Sequence, residues 1–220
     1  MLTATEAPLA PAYPDWPERR EANVNVLCEG PSILDFDPAN LLPGPVVAIN
    51  HTLSMSDRVA VDFWATVDEP KILWDWAQPH LHPACKLFTT ENNLGFWGDI
   101  LGMEVASERL YAKAPSYMEK TEWHPAFLGE NGHPALLPTL THVLGWCHAL
   151  GANVRVFGCD MVGSDSPLSI APFSEREDEG WKFRWAIERS LFALSTKKFR
   201  ASGKRLERWA PRSSSTKNKS

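Results

Sequence analysis

Four short apolar runs, each closing on a polar or turn-forming residue, constrain this chain more than any other feature. Asn23 to Cys28 stops at Glu29-Gly30-Pro31-Ser32, Val46 runs to Asn50, Val61 to Val67 precedes Asp68, and Val154 to Phe157 closes at Gly158-Cys159-Asp160. Runs this short, rich in valine and bounded by turn formers, read as buried strands. Between them lie stretches with helical spacing. Thr139 is placed to cap a helix from Leu140 to Leu150, which Gly151 ends. Glu179 to Ala201 sets Trp181, Trp185, Ile187, Leu191, Leu194 and Phe199 on a helical repeat, followed by Gly203 and a short strand from Arg205 to Trp209.

Strands that alternate with helices specify an α/β chain: a Rossmann-like open, mostly parallel sheet with helices on both faces. Leu53 to Val59 reads as a loop or a short helix, and either Ile72 to Trp76 or Leu87 to Thr89 supplies a further strand. Residues 91–138 are rich in Gly, Pro, Trp and His without a sustained period, which predicts a small irregular insertion of loops and short elements over the sheet edge. The expected organisation is a Pro-rich leader over 1–22, one nucleotide-binding transferase domain over 23–210, and a disordered basic tail over 211–220.

At 220 residues and 44% hydrophobic, the chain can bury one sizeable core. No apolar run approaches the roughly 20 residues of a membrane helix. The N-terminal segment is acidic and Pro-rich where a signal peptide would be basic and apolar, so a cytoplasmic protein without a membrane span is expected. Cys28, Cys85, Cys147 and Cys159 sit in or beside apolar stretches with no C-x-x-C spacing, the pattern of buried thiols. Ten tryptophans are expected mainly to pack, with a stacking platform for a base or sugar as the alternative. From Lys197 onward nine Lys and Arg stand against Glu207 alone, so this end carries +8 and the rest −13 of the net −5. Such a tail can touch nucleic acid or simply be solvated.

Ligands of open parallel sheets bind outside the carboxyl ends of the strands. Glu29, Gly30, Asn50, Asp68 and Asp160 all fall at such ends in this reading. Gly30 permits close backbone approach, Pro31 suits a first helical turn, and Ser32 offers a hydroxyl beside amide donors. His51, directly after Asn50, is the histidine expected to face the site as base or phosphate contact, and His142 near the start of its helix is a second. His80 and His82, with His124 or His133, are weighed as metal ligands and set aside as surface histidines.

The run Cys28-Glu29-Gly30-Pro31-Ser32-Ile33-Leu34, the strand ending Ile49-Asn50, Asp62 to Asp68, the helix from Thr139, and Val156-Phe157-Gly158-Cys159-Asp160-Met161 together resemble one superfamily. Its members carry a Gly-Asn-Gly-Pro-Ser-Leu turn and include sialyltransferase-like glycosyltransferases and 6-hydroxymethylpterin diphosphokinase-like proteins. The resemblance spans roughly residues 23 to 209, apart from much of the middle. It implies a nucleotide-sugar-dependent glycosyltransferase in which Gly30, Pro31 and Ser32 border phosphate and ribose, and Asn50 and Thr139 contact the nucleotide. Two departures stand out. Glu29 occupies the place of the family's Asn, where its carboxylate would repel a phosphate but accept from ribose or a base amino group. The stretch before the last long helix lacks the family's base histidine, and Asp178 falls nearest that place.

The sugar donor's nucleotide would thus lie against Glu29, Gly30, Pro31, Ser32, Asn50 and Thr139, with Asp178 or His51 as general base and Arg176, Lys182 or Arg184 as charge for the leaving phosphate. The acceptor hydroxyl belongs to a glycan, a small metabolite or a modified nucleic-acid base. A second reading is a magnesium-dependent diphosphotransferase on a pterin-like or nucleoside substrate, with Asp68 and Asp160 holding the ion; magnesium is not expected in the first reading. A third is a nucleotide-sequestering protein without turnover.

Overall fold

The computed structural model describes residues 23–68, 70–89, 93, 99, 110–112, 138–161 and 179–211. Among these residues the strands are β1 (Asn23–Leu27), β2 (Val46–Ile49), β3 (Phe63–Ala65), β4 (Lys86–Thr89), β5 (Leu110–Ala112), β6 (Asn153–Phe157) and β7 (Leu206–Arg208). The helices are α1 (Pro70–Ala77), α2 (Thr139–Ala149) and α3 (Glu179–Ala201), with 3₁₀ helices at Pro31–Asp35, Pro38–Asn40, Asn50–Asp57 and Gln78–His80. The strands form one sheet in the order β5-β4-β3-β2-β1-β6-β7, and every neighbouring pair is parallel. The expected open parallel α/β fold is therefore the observed one.

Alternation along the strands builds two apolar layers, because successive side chains point to opposite faces. Val24, Val26, Val47, Ile49, Phe63, Phe88, Val154 and Val156 face α2 and α3, which contribute Val143, Leu144, Trp146, Cys147 and Phe199. Leu27, Val46 and Phe157 face the 3₁₀ residues Ile33 and Met55, and Phe36 just past the first of these helices, on the other side. Further along that side Ala48, Trp64 and Leu87 pack on Leu73 and Ala77 of α1. Helix α2 is buried over most of its circumference, from Thr141 through Cys147, because it is covered by the sheet and by α3. Along α3, Ile187, Leu191, Ser195 and Phe199 form the buried row, and Ser195 donates to the Leu191 carbonyl at 2.8 Å, which satisfies its hydroxyl within the apolar stripe. All four cysteines are free and buried, as their sequence setting indicated.

Several boundaries differ from the sequence reading. The third strand is only Phe63–Ala65; just before it Asp62 turns its carboxylate onto the Val46 amide at 2.8 Å. Asp68 consequently lies past the strand, not at its end. Ile72 to Trp76 is helical, opened by Pro70 at the first turn, and Leu87 to Thr89 is the strand. Pro138 is the N-cap of α2; Thr139 is already helical and makes no capping bond, since the Pro138 carbonyl receives the Thr141 amide at 2.9 Å. The expected insertion lies largely outside the described residues, but its Leu110–Ala112 pairs with β4 as the edge strand. The leader, and the tail from Arg212 on, also lie outside them. Among the described residues no helix is long and apolar enough to cross a membrane.

Candidate functional site

Chain order reverses direction at β1: β2 to β5 extend to one side, and the chain then returns to place β6 on the other. In open α/β sheets the crevice beyond the strand ends at such a reversal is where ligands bind. Here it lies between the loop after β1 and the loop after β6, and those loops are joined by a ladder of bonds. The Cys28 amide donates to the Phe157 carbonyl at 2.9 Å, and the Gly30 amide to the Gly158 carbonyl at 2.7 Å. The Ser32 amide donates to Asp160 Oδ2 at 2.7 Å. Gly158 and Met161 both have positive φ, 63° and 51°, and Arg189 of α3 donates to the Met161 carbonyl at 2.7 Å, which straps the loop down.

This arrangement changes the meaning of the turn. Gly30 is extended (φ −66°, ψ 161°), a conformation any residue adopts, so its value lies in the missing side chain. A Cβ there would collide with the Gly158 carbonyl oxygen and stand 2.5 Å from Asp160 Oδ2. The close approach expected of a ligand is made by the protein's own β6 loop. The Ser32 amide, the expected phosphate donor, is engaged by a carboxylate. With Glu29 next to it, this stretch of rim presents two acidic groups to any phosphate, which is unfavourable for an anion. The Ser32 hydroxyl is buried and has no partner among the described residues.

A second cluster forms at the end of β2. Asn50 takes left-handed backbone (φ 47°), a conformation asparagine tolerates better than most residues. Its carbonyl accepts from Trp64 Nε1 at 3.0 Å, and its side-chain oxygen accepts from the Thr139 hydroxyl at 3.5 Å. The bend at Asn50 swings His51 toward β1. There Glu29 Oε1 accepts from the His51 amide at 2.9 Å and lies 3.3 Å from His51 Nδ1. The two side chains are only 14% and 20% exposed. Behind them Thr52 donates to the Leu27 and Ile49 carbonyls at 2.9 and 2.8 Å, which pins this 3₁₀ helix to the strand ends. The His51 ring meets Trp76 of α1 at 4.9 Å between centroids.

The fold therefore brings Glu29, Gly30, Pro31, Ser32, Asn50, His51, Thr139 and Asp160 to one rim, from the ends of β1, β2 and β6 and the start of α2. Asp68 stands apart. Its amide donates to Thr66 Oγ1 at 3.2 Å and its carbonyl accepts from Asn93 Nδ2 at 3.4 Å. The strands preceding Asp68 and Asp160 are three spacings apart in the sheet, about 14 Å, so the two carboxylates flank different parts of the rim. Asp178, Arg176, His124 and His133 lie outside the described residues; Lys182 and Arg184 fall in the first two turns of α3. His82 Nδ1 accepts from the Ala84 amide at 3.2 Å within its own turn. Among the described residues no three His, Cys, Asp or Glu side chains gather in a form able to hold a metal ion.

Two groups near the rim are structural. The Cys28 thiol shares a hydrogen bond with Cys159, and this, with burial, holds its pKa well above the ordinary thiol range. A thiol kept protonated in this way is a poor nucleophile. His142 is only 7% exposed, its Nδ1 has no partner among the described residues, and burial pushes its pKa down to about 4 from 6.5. An unfolded chain binds a proton below 6.5 that the folded chain refuses until about pH 4, so stability present above that window is lost as pH falls through it. Chemical denaturation should show a loss of about 2 kcal/mol from this group between about pH 7.5 and about pH 5. His142→Gln should flatten that dependence; an unchanged slope would remove His142 as its source.

The pairing of Glu29 with His51 is the feature sequence reasoning missed, although each residue was singled out. The two are 22 positions apart, and nothing local signals that a left-handed Asn50 turns one onto the other. No protein-family model, curated protein or solved structure matches the chain.

Proposed function

We propose that the protein is a nucleotide-sugar-dependent glycosyltransferase of sialyltransferase-like type, acting without a metal, with His51 as the general base. The supporting observation is the Glu29–His51 pair. A carboxylate beside Nδ1 favours the tautomer with its proton on that nitrogen and leaves Nε2 as an acceptor. A base oriented by a carboxylate is the arrangement that activates a hydroxyl. In this reading Glu29, the departure from the family's turn, compensates for the missing histidine before the last long helix.

The nucleotide lies against Asn50, Thr139 and the first amides of α2, whose positive end of the helix dipole suits its phosphate. The doubly acidic turn at Glu29 and Asp160 meets the neutral, hydroxyl-bearing part of the donor. His51 Nε2 takes the proton of the acceptor hydroxyl as its oxygen bonds the anomeric carbon. The bond from that carbon to the phosphate oxygen breaks, and the nucleotide leaves with the electron pair. The acceptor is a glycan, a small metabolite or a modified nucleic-acid base.

The test is incubation of the purified protein with uridine-, guanosine- and cytidine-activated sugars in the presence of a chelator. Slow release of nucleotide from one donor class is expected. Turnover that needs ATP and magnesium would replace this reading with a diphosphotransferase, and tight binding without any product would replace it with a sequestering protein.

A further inference from the structure

Trp76, on the last turn of α1, touches His51 at 4.9 Å with the rings inclined by 66°, and also meets His80 at 5.3 Å. It is half-buried, rooted in the cluster of Leu73, Ala77, Trp64 and Leu53. Trp64, fully buried in that same cluster, holds the Asn50 carbonyl, the peptide immediately before His51. One indole thus fixes the backbone of the Asn50–His51 corner, and a second borders the imidazole that projects from it.

We propose that Trp76 is a positioning residue for His51, setting the plane of the imidazole while Glu29 sets its tautomer. A histidine side chain has two torsions, and both must be fixed before its ring nitrogens have set directions. The Glu29 carboxylate fixes where Nδ1 points, but one hydrogen bond leaves the ring free to tilt about that contact. An aromatic ring packed against the imidazole removes the tilt, because inclined rings at this separation are held by dispersion and by the edge-to-face preference of π systems. With both constraints in place Nε2 has one direction, away from Glu29. General-base catalysis depends on that direction, since a small displacement of a reacting group costs a large factor in rate. Binding of the donor, which rests on Asn50 and the start of α2, does not depend on it. His80 makes a second ring contact with the same indole and so adds to its restraint.

This inference rests on the glycosyltransferase reading for its kinetic consequence but not for its geometric one. The experiment therefore has two readouts on the full chain, for Trp76→Leu, which keeps apolar bulk, and Trp76→Phe, which keeps an aromatic ring. Turnover of the accepted nucleotide sugar should fall about 10-fold or more in Trp76→Leu with KM for the donor within about twofold, and Trp76→Phe should recover most of the loss. Separately, nitrogen-15 spectra of the imidazoles should show His51 with one tautomer and a ring-current-shifted proton in the native protein. That shift should vanish in Trp76→Leu and persist in Trp76→Phe. A His51 signal unmoved in Trp76→Leu, or a turnover loss matched in Trp76→Phe and accompanied by a rise in KM, would overturn the positioning role. If no donor is turned over by the native protein, the functional reading fails, and the imidazole spectra still decide the role of Trp76.

Discussion

His51→Ala is expected to lower nucleotide-sugar turnover by about 10²- to 10⁴-fold, the usual contribution of a positioned general base, with donor affinity nearly unchanged. The reason is specific to this rim. His51 hangs on the Asn50 bend, and its backbone N–H donates the hydrogen bond to the Glu29 carboxylate, so alanine keeps the corner intact and removes only the imidazole. Glu29→Gln is the sharper variant. One carboxylate oxygen serves both the His51 amide and Nδ1, so the new side chain either keeps a neutral carbonyl oxygen there, a weaker acceptor for both, or turns its NH₂ group to Nδ1, which favours the proton on Nε2 and gives up the bond from the His51 amide. Turnover should then fall by about 10²-fold or more although packing is almost unaltered. Steady-state kinetics and calorimetric donor affinity check both variants. Native turnover in Glu29→Gln would show that the carboxylate does not set the tautomer, and native turnover in His51→Ala would remove the histidine from the chemistry.

Gly158→Ala should be the most damaging small substitution among the described glycines of the rim. Gly158 has φ 63°, and a Cβ would run into the Cys28 carbonyl oxygen while standing 3.0 Å from both the Cys28 carbonyl carbon and Ile33 Cβ. The principal obstacle is backbone, so no side-chain rotation relieves it. The bond ladder between the β1 and β6 loops would have to part at the centre of the sheet. A loss of more than about 3 kcal/mol is expected, a large share of the roughly 5 to 15 kcal/mol by which domains are stable. Gly203 provides the control: its φ is similar at 73°, but nothing lies within 4 Å of an added Cβ. Gly203→Ala should cost only the left-handed backbone term, about 1 to 2 kcal/mol. Denaturant midpoints of the two variants separate collision from conformation, and equal losses would mean the loops tolerate parting.

Secondary structure was legible wherever one short-range signal governed it. Strand β2 was readable because a parallel strand buried on both faces is a continuous apolar run, and β1 and β6 because valines alternating with Asn or Arg end on an apolar pair before turn formers. Helix α3 was readable because Ile187, Leu191 and Phe199 repeat on one face and Gly203 follows. Ile72 to Trp76 was ambiguous because four apolar and aromatic residues around Asp75 fit either period, and Pro70 decides it only once it is seen to open a turn. Thr139 looked like a cap by residue type, yet Pro138 holds that place and frees the hydroxyl for Asn50.

The site was half legible in the same sense. Residue types at strand ends identified the rim, since a parallel sheet must present its carboxyl ends together. Their mutual assignments were not legible: Asp160 to the Ser32 amide, across 128 positions, and Glu29 to the His51 ring are set by loop paths that depend on Gly158 and Asn50 lying in left-handed conformations.

By itself, then, the order of residues determined the layered α/β architecture and which positions reach the sheet's rim, because hydrophobic periodicity and turn formers act over a few neighbours. Only the tertiary structure decided that the acidic turn is closed by β6 and that a histidine rests between a carboxylate and an indole. Those contacts join distant segments through backbone bends, and no local pattern encodes the distance between them.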